Sequence, residues 1–252
     1  MSITTCECLS TFSNETVKYL EKLVYNNKHE VSGELVLTKS NNTVFTQYED
    51  LINCNCIGKY FTYVYLVSVD EDITNGSENT AEMIESRFNF HVHPQNAYKM
   101  YDCELGWPSM DDYITFLQTF LKYDTAYHCV VSIEGIYVIS VNPNMVETIY
   151  SLRDEDSNDL FKKSLKKYIN IDKTGYRIEK GYKMNGITIN SGQTYQDAIN
   201  TFKFPDNSDV NPVLRNKILF KIAFLDWKDL KNPLVNTGFC VTFPRINNTC
   251  EI

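Results

Sequence analysis

No stretch of this chain is apolar enough to cross a bilayer; the run of about 18 apolar residues that a spanning helix needs is missing. The opening residues, Met1-Ser2-Ile3-Thr4-Thr5-Cys6, lack the basic and apolar regions of a secretory leader, so the expected compartment is the cytoplasm. Clustered basic charge is also lacking. The formal net charge is -8, and the densest basic group, Lys162, Lys163, Lys166 and Lys167, has the spacing of a solvated helix face. Neutralising phosphates requires concentrated Lys and Arg, so nucleic acid is not expected as the main partner. There is no internal repeat and no low-complexity tract. With 43% hydrophobic and 22% charged residues the composition is that of a folded globular chain rather than a disordered one.

The eight cysteines lack the CxxC spacing of common structural zinc sites. Cys6/Cys8 and Cys54/Cys56 are CxC pairs. They either combine as a four-thiolate zinc site or stand as ordinary free thiols, and reduced thiols are expected in a long chain without a leader.

The pattern of elements is mixed. Ser13 or Asn14 caps a helix whose apolar stripe is Val17, Leu20, Leu23 and Val24. Val31 to Thr38 reads as a strand, Val44 to Tyr48 as its antiparallel return, and Lys59 to Val69 as a long strand. Asp70 to Asn79 reads as an exposed loop and Thr80 to Ser86 as a short helix. Phe88-Asn89-Phe90 leads a strand into His91. Asp111 to Tyr123 is helical, and Tyr127–Ile133 with Ile136–Val141 forms a hairpin around Glu134-Gly135. Further on, a helix is expected within Val146–Ile169, alternation marks Lys217–Trp227, and Gly238–Phe243 is a strand candidate. This order predicts an α/β fold: a mixed β-sheet with flanking helices over residues 1–150, followed by a C-terminal α+β extension, 151–252.

Only four histidines exist, and two form His91-Val92-His93 at the expected end of a strand. Residues i and i+2 of a strand face the same side, so both imidazoles can reach one ion. Pro94 stops the strand. Downstream, Ser109-Met110-Asp111-Asp112 opens a helix, where a carboxylate can complete a two-His, one-carboxylate set and leave the fourth zinc position for water. Surface or core histidines are the bland alternative for HxH alone, and a helix N-cap is the alternative for Ser109.

Upstream lies Glu30-Val31-Ser32-Gly33. With it, the sequence resembles the JAMM (MPN+) zinc metalloprotease family, whose pattern is a Glu opening a strand, often followed by x-x-Gly, then His-x-His-Pro, then Ser-x-x-Asp. Glu30 and Gly33, His91, His93 and Pro94, and Ser109 and Asp112 match in that order, over roughly residues 12–145. The resemblance implies a JAMM/MPN-like domain in which His91, His93 and Asp112 hold zinc, Glu30 takes a proton from the attacking water, and Ser109 donates to the oxyanion. It further implies hydrolysis of amide or isopeptide bonds, with ubiquitin or a ubiquitin-like protein as the expected partner. A non-catalytic MPN-type scaffold is the alternative, and a cysteine protease a third reading. The sequence departs from the pattern between His93 and Ser109. The fifteen residues Pro94 to Pro108 are more than the family's usual spacing, and the extra stretch should bulge out beside the metal and rim the groove. Glu34, four residues after Glu30, reads as a half-exposed strand carboxylate, and His128 as structural.

Overall fold

The computed structural model describes residues 5–40, 64–77, 80–101, 104–152, 163, 182–184, 187–232 and 238–244. Among the described residues, eight strands form one mixed sheet in the order β10-β1-β3-β2-β4-β5-β6-β9. They are β1 (Thr5–Phe12), β2 (Val31–Ser40), β3 (Val64–Asn75), β4 (Phe88–Val92), β5 (Tyr127–Val131), β6 (Gly135–Val141), β9 (Phe220–Asp226) and β10 (Phe239–Pro244). A separate hairpin pairs β7 (Tyr182–Met184) with β8 (Ile187–Ile189). The helices are α1 (Asn14–Asn26), α2 (Gln95–Tyr101), α3 (Met110–Tyr123), α4 (Val146–Tyr150), α5 (Gly192–Thr201) and α6 (Trp227–Leu230). The α/β class with a mixed sheet is therefore as the sequence predicts, and no described helix is long and apolar enough to cross a membrane.

Strand periodicity divides the core in two. Phe90, Val92, Cys129, Val131, Ile136 and Val138 turn to one face, where Val17, Leu20 and Val24 of α1 cover them. Val130, Tyr137, Ile139, Phe220 and Ile222 turn to the other, under Phe116, Leu117 and Phe120 of α3 and Tyr195 and Ile199 of α5. The sheet curls. In a flat sheet β10 and β5 would lie about 24 Å apart, five strand spacings; instead the Tyr127 and Phe239 rings meet edge to face with centroids 5.3 Å apart. The segment after residue 151 supplies two strands of this sheet, β9 beside β6 and β10 beside β1.

Two expectations fail. The stretch read as a loop from Asp70 is strand as far as Asn75, because Ile73 and its neighbours pair with Gly33, Ser32 and Val31 across a bulge at Gly33/Leu35. The expected helix at Thr80–Ser86 does not form. Its carbonyls are taken by side chains of neighbouring elements instead: Glu82 O accepts from Ser32 Oγ (2.6 Å), Ile84 O from Asn89 Nδ2 (2.6 Å) and Ser86 O from Thr125 Oγ1 (2.8 Å). These bonds hold the segment along its neighbours in an extended path, and the i to i−4 ladder does not form. The sequence pattern does not predict strand β1, helix α2 or helix α5. The Val44–Tyr48 return, Lys59–Tyr63, Cys54, Cys56 and Cys103 lie outside the described residues, as does Ser151–Ile169 apart from Ser151, Leu152 and Lys163.

Candidate metal centre

Strand β4 sits between β2 and β5, antiparallel to the first and parallel to the second. Its odd-numbered residues point toward α3, which places Asn89 and His91 there. His93 follows the last strand residue and is tethered by its own N–H to Val131 O (2.8 Å). Gly33 of β2 lies opposite Phe90, and a β-carbon there would come within 2.5 Å of the Phe90 ring, so glycine is what lets β4 approach β2. Asp112 comes from the first turn of α3. Ser109 is the N-cap: Asp112 N–H donates to Ser109 Oγ (3.3 Å) and Ser109 N–H donates to Asp112 Oδ2 (2.5 Å), a reciprocal capping box. The structural reading of Ser109 is thus realised, and its hydroxyl hydrogen remains available to donate elsewhere.

These elements bring His91, His93 and Asp112 together. His91 Nε2 and His93 Nε2 are 2.9 Å apart, and Asp112 oxygens lie 3.3 Å from the first and 3.8 Å from the second. Ligands of a tetrahedral zinc with bonds of about 2.0–2.1 Å stand roughly 3.3 Å from one another. The two spacings that involve His91, 2.9 Å and 3.3 Å, lie near that value, while Asp112 presents its other oxygen, Oδ2, to His93 at 3.8 Å.

Proton positions support the same conclusion. His93 Nδ1 faces Gly106 O at 2.9 Å; a carbonyl only accepts, so Nδ1 carries the hydrogen and Nε2 of the neutral ring carries a lone pair. His91 is set by a longer chain. Asn89 Nδ2 donates to Ile84 O, which turns Asn89 Oδ1 toward His128 Nδ1 (2.6 Å). His128 Nδ1 is therefore the protonated nitrogen, its Nε2 accepts from His91 Nδ1 (2.6 Å), and His91 Nε2 is left with a lone pair. In these tautomers two imidazole lone pairs and a carboxylate face one point, a donor set that could hold a divalent cation. Burial pushes the His91 imidazole down to about 4, with His93 adding to the fall and Asp112 opposing it. His128 is also driven well below its usual value by burial. Both rings are neutral near pH 7.

Glu30 immediately precedes β2. Its N–H donates to Ser77 O (3.1 Å) and its carbonyl accepts from Gly76 N–H (2.8 Å). Val31 pairs with Val92, so Glu30 abuts His93 across the ladder. Burial raises the Glu30 carboxyl above the ordinary carboxylate range; His93 opposes the rise, Asp112 adds to it, and a hydrogen bond from the Ala81 backbone lowers it. Glu34 is half-buried and lies opposite Asn89, farther down the strand from His93.

The extra residues after Pro94 do not simply bulge outward. They form α2, whose Tyr98 is buried and packs so closely on Gly106 that a β-carbon there would overlap the Tyr98 hydroxyl. The same stretch supplies Gly106 O to His93. His128, read from sequence as merely structural, directly contacts a proposed ligand, and its partner Asn89 was missed. Cys129 is fully buried and its thiol is pushed well up by burial, so it makes a poor nucleophile. No protein-family model, curated protein or solved structure matches the chain.

The depressed His91 has a consequence for the metal-free chain. The unfolded histidine binds a proton near 6.5 and the folded one only near 4. Stability is therefore fully present above about pH 6.5 and falls as the pH drops toward 4, by on the order of 3 kcal/mol from this group, with His128 acting in the same direction. Thermal melts of chelator-treated Glu30→Gln/Glu134→Gln protein, which lacks the two buried carboxyls whose raised pKa acts in the opposite direction, should show a falling Tm between pH 6.5 and 5, where ordinary carboxylates have yet to titrate. A flat profile in that interval would contradict the neutral, buried imidazoles.

Proposed function

We propose that the chain is a zinc-dependent hydrolase of amide or isopeptide bonds, a JAMM/MPN+ type peptidase acting on ubiquitin or ubiquitin-like conjugates. The observation that carries this reading is the convergence of His91 Nε2, His93 Nε2 and Asp112 on one point, with both imidazole tautomers fixed from behind and Glu30 beside His93. When bound, the metal supplies a Lewis acid that makes water nucleophilic near neutral pH.

Glu30, desolvated but still tied to the Ala81 amide, takes the proton from the attacking water and delivers it to the leaving amine. Ser109 accepts the Asp112 amide hydrogen at its oxygen and donates its own hydrogen to the developing oxyanion. An open groove of about 680 Å³ runs between Ala81–Glu85 and the face of α3 that carries Thr115, Thr119 and Lys122. Thr115 and Thr119 follow Asp112 at helical spacing, so the groove lies along the same side of α3 as Asp112. The ubiquitin assignment rests on the resemblance of Glu30-x-x-Gly33, His91-x-His93-Pro94 and Ser109-x-x-Asp112 to the family pattern.

Zinc-loaded protein should cleave one or more members of a panel of linkage-defined diubiquitins and ubiquitin-like fusions, with cleavage lost on chelation. Stoichiometric zinc with every substrate intact would favour the scaffold reading instead.

A further inference from the structure

The four residues Gly106-Trp107-Pro108-Ser109 join two proposed ligands without containing either. At one end Gly106 O holds His93 Nδ1 (2.9 Å), and at the other Ser109 N–H holds Asp112 Oδ2 (2.5 Å). We propose that this segment is a strut fixing the separation of His93 and Asp112, and that Glu134 and Tyr195 are positioning residues that hold it from behind. The inference rests on the metal reading above.

Each support grips the backbone of the strut. Glu134, in the turn between β5 and β6, accepts Gly106 N–H at Oε1 (2.8 Å). The carboxylate is in turn held by the Tyr137 hydroxyl (2.8 Å) and, at its other oxygen, by the Tyr98 hydroxyl of α2 (3.4 Å). Gly106 thus has its N–H on Glu134 and its carbonyl on His93, so a shift of Glu134 moves the hydrogen bond that sets the His93 tautomer.

Tyr195 comes from α5, more than eighty residues along the chain. Its ring stacks on fully buried Trp107, with centroids 5.6 Å apart and planes 4° from parallel. Its hydroxyl donates to Pro108 O (2.8 Å), which makes Tyr113 the donor in the 2.8 Å contact between the two hydroxyls. Helix α5 is itself pinned to β9: Gln196 Oε1 accepts Phe224 N–H (2.6 Å), and Asn200 makes two bonds to the Ile222 backbone, both 2.9 Å. The part of the chain outside the motif-bearing region therefore braces the residue just before Ser109. This gives the C-terminal segment a role in the site: it supplies the rigid back wall against which the Asp112 end of the strut is set.

Core packing alone would predict something different from positioning, and the two separate on metal binding. Glu134→Leu removes the acceptor, Glu134→Gln keeps an acceptor oxygen without the charge, and Tyr195→Phe keeps the stack without the hydroxyl. Each would be loaded with Co²⁺, its visible bands recorded, its zinc affinity measured by competition, and the Tm of its metal-free form determined. Glu134→Leu should bind zinc about tenfold more weakly with altered cobalt bands, the lower end of the loss for a direct partner of a ligand, because Glu134 acts through Gly106. Glu134→Gln should restore most of the affinity, and Tyr195→Phe should lose about two- to tenfold, the weight of one neutral hydrogen bond. Folded Glu134→Leu and Tyr195→Phe with wild-type affinity and wild-type cobalt bands, whatever their Tm, would overturn the strut. Should Glu134→Leu not fold, Tyr195→Phe decides alone by the same two readouts. A wild-type chain that shows no ligand-field bands with Co²⁺ would instead overturn the metal reading beneath it.

Discussion

Glu30→Gln should keep its metal and lose about a hundredfold to ten-thousandfold in kcat, the span expected when a general base is removed. The substitution preserves size and hydrogen-bonding polarity, so the backbone bonds of residue 30 to Ser77 and Gly76 should survive. What it removes is the ability to hold a proton. Glu34→Gln is the matched control. Both carboxylates belong to one chain segment, and four residues of strand separate them by roughly 13 Å, whereas a base must come within about 3 Å of the proton it takes. The ladder places Glu30 beside His93 and Glu34 opposite Asn89, toward the far end of β4. Steady-state kinetics and zinc content measured on both variants with one active substrate check this. An active Glu30→Gln beside an inactive, zinc-loaded Glu34→Gln would reverse the assignment.

Asp112→Asn should separate the two tasks of Asp112. As a capping residue, aspartate can give way to asparagine, whose side-chain oxygen still accepts the Ser109 amide hydrogen. As a ligand it cannot, because the neutral amide oxygen is a far weaker donor to a divalent cation. The expected result is a folded protein with an almost unchanged metal-free Tm. Its zinc affinity should fall by more than the ten- to hundredfold typical of losing a partner behind a ligand. Competition against a chelating dye, paired with melts of the metal-free forms, gives both numbers. An Asp112→Asn chain with wild-type zinc affinity would reduce Asp112 to a helix cap.

The site was legible in sequence where its logic is local. His91 and His93 meet because they are two apart at the end of a strand, His93 being the residue just past β4, and Ser109 and Asp112 meet because a helix starts between them. Asn89 and His128 were not legible. They are brought side by side by the parallel register of β4 on β5, which pairs Asn89 with His128 and is separated by thirty-nine residues of chain. Glu134 looks like a turn residue next to Gly135, and only the folded insertion reveals what its carboxylate holds. Tyr195 is one tyrosine among seventeen; helix α5 starts with Ser191 and Thr194 in place of the more recognisable Ser-x-x-Glu. The failure at Thr80–Ser86 has the same origin. Local composition permitted a helix, but Ser32, Asn89 and Thr125 claim its carbonyls from distant elements. For the same reason the strand at Asp70–Asn75 is dictated by its partner β2 rather than by its own acidic residues.

The claim on which the rest depends is that His91, His93 and Asp112 hold one metal ion. Native mass spectrometry of wild type and His91→Ala, each purified with zinc present and then freed of loosely bound metal, tests it most directly. Any zinc held by cysteines elsewhere in the chain is common to both, so the difference is what counts. Wild type should carry one zinc more per chain than His91→Ala. Equal zinc content in the two proteins would contradict the assignment.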